Sequence, residues 1–275
     1  MAQSPSGILA TNNVVNSITR QAKVEPFDLH VSRNLVYGHR YIFKFGICNN
    51  TQTSVTTLWN PATPTAYVYP ASATLMQVSS GSANDTSAGT GARSIIIYGL
   101  DANYNEISET VLLNGQTQVA TTKSFLRIND ADVVTVGSGG TAAGIIYIGT
   151  GSATSGIPAT TYGILPQQYN SLAQSIYTVP AGYTAYITSY TFTSAATTTY
   201  NVSGFFVSYQ GAVPVIQASA RMISGGNFDR HFDCPVVYQE KTDIELRVST
   251  STAGVLMTGD LHILLIKNNA DAGNT

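Results

Sequence analysis

Between Asp132 and Arg221 the chain carries no Asp, Glu, Lys, Arg or His, a gap of 88 residues. That third of the molecule offers no general acid, no general base and no charged metal ligand. Charge is scarce elsewhere too: charged residues make up 10% of the sequence, against about 25% in an average soluble protein. A net charge of -2 adds little repulsion between copies. The composition suits either a Ser/Thr-rich soluble β protein or a protein whose surface is largely covered by neighbours, and the second is the expectation taken forward. Cysteine is equally sparse. Cys48 and Cys234 stand 186 residues apart, which gives neither a disulfide framework nor metal-ligand spacing and predicts two buried thiols. The first residues, Met1-Ala-Gln-Ser-Pro-Ser-Gly7, lack a basic n-region and an apolar h-region, so synthesis and folding in a reducing cytoplasm are expected. No apolar run reaches the ~18 residues of a membrane span. No segment shows a convincing helical period; residues 166–174 have room for one turn or two.

What is present is β pattern. The hydrophobic content of 43% is too high for a disordered chain, and nine of the sixteen tyrosines fall in the uncharged third. Around residues 29–47 Tyr41, Phe43 and Phe45 alternate with Ile42, Lys44 and Gly46, placing one set inward and one outward. Short strands are predicted at 75–79, 94–98, 109–113, 119–122, 124–128, 132–136 and 145–148, with Asn114-Gly115 as a hairpin turn. A second series runs through 177–182, 183–193, 201–209, 213–220, 235–238, 243–249 and 259–266. In it Tyr186, Thr188, Tyr190 and Phe192 share one face, and Ile244, Leu246 and Val248 alternate with Asp243, Glu245 and Arg247. The charge-free, Gly/Ser/Thr/Pro-rich stretch 149–162 reads as a linker. The expected fold is therefore all-β: an extended N-terminal arm over 1–28, then two antiparallel β-sandwich (jelly-roll-like) domains over 29–155 and 156–275.

Candidate chemistry is thin. Asp229-Arg-His-Phe-Asp-Cys234 is the densest set of functional groups, but it has no second ligand pair for zinc. His262 sits in an apolar strand as a structural histidine, and His39 follows Gly38 at a turn. Glu106 and Glu109 suggest a glycosidase pair only on paper, since they fall in a polar hairpin. Asn84, Asp85, Asp101, Asn103 and Asn105 supply hard oxygens for calcium, without the helices or the loop glycine of an EF-hand. No Gly-x-Ser-x-Gly elbow and no phosphate loop is found. Five basic residues among the first 45 (Arg20, Lys23, Arg33, Arg40, Lys44) against Glu25 and Asp28 are too sparse for a nucleic-acid tail. No cofactor, metal or catalytic residue is predicted.

Three segments carry a resemblance. The loop from Ser79-Ser-Gly-Ser-Ala-Asn-Asp to Arg93, the run Ile97-Tyr-Gly-Leu-Asp-Ala-Asn-Tyr-Asn-Glu106 with Leu113-Asn-Gly115, and in the second half Tyr177-Thr-Val-Pro-Ala-Gly182 with Glu240-Lys-Thr-Asp-Ile-Glu-Leu-Arg247 resemble virion structural proteins of tailed bacteriophages. The resemblance covers residues 28–267 and consists of turn chemistry and strand pattern. It implies a non-enzymatic capsid decoration (cement) protein, most simply a homotrimer. The protein would be assembled in the host bacterial cytoplasm and bound in the virion to the major capsid protein, with no nucleic-acid or membrane partner. Capsid contact is expected from Arg20, Lys23, Phe27 and Trp59, and contact between copies from Tyr183, Tyr186 and Tyr190. A tail, head-fibre or receptor-binding component, and more distantly a virion-associated hydrolase, remain open.

Overall fold

The structure, a computed structural model, describes residues 13–15, 22–49, 51, 53–60, 65–195, 201–223 and 225–270. Two antiparallel β-sandwiches account for most of them, and one is inserted into the other. The first described elements are two short paired strands, β1 (Asn13–Val15) and β2 (Ala22–Val24), followed by a helical turn and a half, α1 (Phe27–Ser32). Two strands follow, β3 (His39–Cys48) and β4 (Thr56–Thr57). The inserted sandwich uses β5 (Thr74–Ser80), β6 (Ala92–Leu100), β7 (Glu106–Leu112), β8 (Val119–Phe125), β9 (Arg127–Val136), β10 (Ile146–Thr150) and β11 (Thr160–Leu165). The outer sandwich resumes with β12 (Ile176–Thr178), β13 (Tyr183–Ser194), β14 (Asn201–Gln210), β15 (Val213–Ile223), β16 (Asn227–Tyr238), β17 (Asp243–Thr250) and β18 (Met257–Lys267).

Pairing corrects the expected domain boundary at 155/156. β3 is the edge of the sheet β16-β13-β18-β3, and β4 pairs with β17 in the facing sheet β12-β17-β14-β15, so both belong with the C-terminal strands. β11 pairs with β10 in the sheet β11-β10-β5-β8, which packs on β7-β6-β9. The stretch 149–162 is therefore the turn region of the β10–β11 hairpin and not a linker. Its glycines serve tight geometry: a Cβ at Gly156 (φ 81°) would lie 1.9 Å from the Ser80 carbonyl oxygen. Asn114-Gly115 also departs from expectation. The chain turns there, with Gly115 at φ 60°, but β7 pairs with β6 and β8 with β5, so the turn crosses between sheets.

Each sandwich has its own core. The outer one gathers Leu58, Ile187, Tyr190, Phe192, Phe206, Ile244, Leu246, Val248, Leu261 and Ile263; the inserted one gathers Met76, Val78, Ile95, Ile97, Phe125, Ile146, Ile148 and Leu165. β18 is central between β13 and β3, which explains its nearly unbroken apolar run. Close packing fixes particular glycines: at Gly204 the Phe192 ring lies where a Cβ would stand, 2.6 Å away.

α1 was not expected. Pro26, with φ -55°, precedes it, Asp28 sits in its first turn, and His30 and Val31 turn inward. A proline fixing the chain just ahead of the first turn and an acidic group near the amide end are ordinary helix-start signals, here on a segment too short to show a period. Residues 166–174 form turns with Gln168 and Asn170 at positive φ. Of the cysteines, Cys48 is buried but Cys234 is exposed, because β16 contributes no buried residue along its length.

Candidate contact surfaces

The aromatic side of β3 is its outward side. Lys44, at 2% exposure, faces inward with Ile42 and Cys48, while Tyr41 and Phe43 are 38% and 55% exposed. Strand register extends this face across the whole sheet. Leu264 of β18 stands beside Tyr41, Tyr186 of β13 beside Leu264, and Val237 of β16 beside Tyr186. A row of four uncharged side chains thus crosses all four strands on the solvent side, ending in Val237 at 47% exposure. A second row begins with Phe43, whose ring meets His262 edge-on at 4.9 Å and stacks on Phe45 at 6.5 Å; Phe45 in turn stacks on Tyr169 at 6.4 Å. An apolar area of this kind on a sheet face is open to contact with another surface. At one end α1 closes on it, where the Tyr41 hydroxyl donates to Asp28 Oδ1 at 2.5 Å. Burial first, and the Asp28 carboxylate second, push the Tyr41 hydroxyl up to about 12.

The expected contact residues divide. Arg20 lies outside the described residues, and Lys23 lies on β2, its backbone opposite Val14. Phe27 opens α1 at 50% exposure, its ring edge-on to His39 at 5.7 Å. Trp59 is buried between the sandwiches with Tyr67, Ile164 and Ile176, and its Nε1 donates to the Thr65 carbonyl at 3.0 Å, so it has little surface to offer a capsid. Tyr183 is half-buried, with the Arg40 guanidinium 5.0 Å from its ring centre. Tyr186 lies in the outward row. Tyr190 does not: it is 2% exposed and stacks on Phe206 at 5.4 Å inside its own core. The register slips between Ile187 and Ser189, and this bulge at Thr188 turns Tyr190 to the opposite face from Tyr186. Tyr190 is thereby removed from any contact between copies. The alternation of Tyr41 and Phe43 with Ile42 and Lys44 marks one strand face in the sequence without marking it as a contact face, and Leu264 and Val237 carry no comparable signal.

The groups weighed for catalysis or calcium have other partners. Both Asp85 oxygens are occupied, Oδ1 by the amides of Ala92 and Ala143 and Oδ2 by Gly144 N and Ser80 Oγ, and the residue is fully buried. It organises three loops. Asp101 accepts from the amides of Asn103 and Asn105 in a local turn. Glu109 accepts from Thr122 N and Lys123 N, while Glu106 pairs with Arg40 at 2.7 Å. His231 meets Asp229 at 3.1 Å on an exposed strand. Among the described residues no group of three His, Cys, Asp or Glu side chains is placed to hold a metal ion.

The charged face of β17 is largely covered within the chain, with Asp243 and Glu245 buried and Arg247 partly exposed. It packs against the inserted sandwich and its neighbouring loops. Glu245, at 0% exposure, accepts from Arg247 Nε at 2.7 Å, Tyr209 Oη at 2.8 Å and Thr57 Oγ1 at 2.8 Å. Burial raises the Glu245 carboxyl against the pull of Arg247 and the two hydroxyls. Asp243 receives Arg127 from β9 and Thr178 from β12. The two sandwiches are thus clamped by a desolvated polar network beside the aromatic cluster of Trp59, Tyr67 and Tyr69.

No protein-family model matches the chain, and no curated protein matches it. Among solved structures it is similar to a chain of infectious bursal disease virus, Gx strain, at 8% identity over 92% of this chain and 78% of that one, with a TM-score of 0.20. It is also similar to a chain of Sulfolobus Turreted Icosahedral Virus, at 9% identity over 90% and 97%, with a TM-score of 0.16. A subviral particle of infectious bursal disease virus gives 11% identity over 90% and 79%, with a TM-score of 0.16. Likeness at this level carries no argument; the all-β sandwich architecture stands on the chain's own sheets.

Proposed function

We propose that this chain is a structural component of a virion: a capsid decoration protein, homotrimeric, that sits on the major capsid protein lattice and strengthens the head. The observation that carries the reading is the uncharged row Tyr41–Leu264–Tyr186–Val237 on the outside of a four-stranded sheet. A chain with 10% charged residues and such a face gains by association, since covering apolar area is favourable at roughly 25 cal/mol per Å². The resemblance of its turn and strand motifs to tailed-phage virion proteins supports the same reading. The work is mechanical. Each copy bridges neighbours through interfaces of about 800 Å² per partner, and many modest contacts act together. Assembly would take place in the host cytoplasm before the protein is fixed in the virion.

The test is quantitative mass spectrometry of purified particles, paired with rebinding of purified protein to heads that lack it. Hundreds of copies per particle, and rebinding abolished by Phe43→Asp with Tyr186→Asp, are expected. A few dozen copies or fewer would assign the protein to a tail or head fibre instead.

A further inference from the structure

We propose that Lys44 and Asp130 are joined by an amide bond, a covalent tie between β3 of the outer sandwich and β9 of the inserted one. The two groups already touch: Lys44 Nζ lies 3.1 Å from Asp130 Oδ1. Lys44 is an anomaly in its strand. It occupies a core-facing position between Ile42 and Gly46, opposite Leu261 in the register, and is 2% exposed. An ammonium in that position loses its hydration, and among the described residues its ion-pair partner is Asp130. Burial lowers the Lys44 ammonium, favouring the neutral amine that acts as a nucleophile. Asp130, in contrast, is not enclosed. It lines a cavity of about 330 Å³ between the sandwiches, with Ile42, Leu100, Ile107 and Tyr177 among its walls. That opening gives a leaving water an exit.

A second carboxyl completes the set. Asp130 and Asp132 flank Ala131 in regular pairing with β6, so they share one face of β9. Burial first, then the neighbouring Asp130 charge, raise Asp132, while Lys44 opposes the shift. It is a suitable proton carrier.

The step balances without an outside reagent. A proton passes from the Lys44 ammonium to the Asp130 carboxylate, leaving an amine and a carboxylic acid. Nζ then adds to Asp130 Cγ. Asp132 takes one proton from the nitrogen and returns it to the departing hydroxyl, the C–O bond breaks, and water leaves. The nitrogen keeps one hydrogen, and nothing is oxidised or reduced. Fixed side chains in contact have effective concentrations of about 10⁵ M or more, which favours condensation of a kind that does not occur between free groups in water. The product is a neutral amide, less costly to bury than the ion pair it replaces.

The experiment is the intact mass of the denatured wild-type protein, followed by fragmentation of its proteolytic digest. Expected are a mass one water below that of the sequence and a branched peptide joining positions 44 and 130. A wild-type mass with no water missing overturns the proposal, and this readout does not depend on any variant folding. Lys44→Arg keeps a cation but removes the nucleophilic amine, so it should restore the full mass. Persistence of the water loss in Lys44→Arg would place the dehydration elsewhere and equally overturn the assignment.

Discussion

Arg127 and Asp243 meet across the junction of the two sandwiches in two parallel hydrogen bonds, Nε to Oδ1 at 2.9 Å and Nη2 to Oδ2 at 2.8 Å. The guanidinium also donates from Nη1 to the carbonyls of Pro70 and Leu126, and its carbon lies 4.8 Å from the centre of the Tyr69 ring. A planar fork suits this set of acceptors in a way a lysine ammonium does not. Both side chains are buried, with only about a tenth of their surface or less left exposed.

Arg127→Ala is therefore expected to destabilise the protein by about 3–5 kcal/mol, because it strands Asp243 as a buried charge. Replacing both partners with apolar residues of similar size should cost less than the single change. Urea denaturation of the two variants against wild type checks the order, and equal losses would show that the charge left behind is not what matters.

The two tyrosines of β13 give a second prediction. Tyr190→Ala empties a site in the outer core and should cost about 3–5 kcal/mol. Tyr186→Ala, four residues away on the solvent side, should cost about 1 kcal/mol or less while weakening association between molecules. Thermal unfolding at low protein concentration, with light scattering for the assembled state, separates the two effects. Similar stability losses would mean that the bulge at Thr188 does not divide the faces.

That bulge marks where the sequence ceased to be readable. A strict period of two put Tyr186, Thr188, Tyr190 and Phe192 on one side, and nothing in the residue types announces an extra position at Thr188. The strands themselves were legible because their apolar runs are short and punctuated by Gly, Pro and Asn. Their grouping was not. Whether β3 pairs with β5 or with β18 depends on contacts more than two hundred residues apart, and local pattern holds no record of them. The stretch 149–162 shows the same limit, since a charge-free Gly/Ser/Thr/Pro segment has one composition as a linker and as the tip of a hairpin. The alternation of Asp243, Glu245 and Arg247 against Ile244, Leu246 and Val248 correctly gave two faces. It misled only in assigning the charged face to water or a partner, because sequence shows polarity and not what covers it. On β3 the aromatic residues were visible, but the choice of Lys44 as the inward residue required the neighbouring sandwich to supply Asp130.

The bond from Tyr41 to Asp28 gives the last prediction, one of pH. The Tyr41 hydroxyl is raised from its ordinary 10.0 to about 12, by burial and by the carboxylate that accepts its proton. A group raised in the folded state contributes stability that is whole below its unfolded value and fades as pH climbs through its folded value. The stability difference between wild type and Tyr41→Phe should thus hold from neutral pH to about 10 and shrink as pH passes through about 12. Beyond that point the phenolate faces the Asp28 carboxylate, and the contribution of the hydroxyl should be lost. Denaturant titrations of both at neutral pH and at the alkaline end measure this difference directly, cancelling the tyrosines they share. An unchanged difference across the interval would mean that the hydroxyl does nothing to fix α1 against β3.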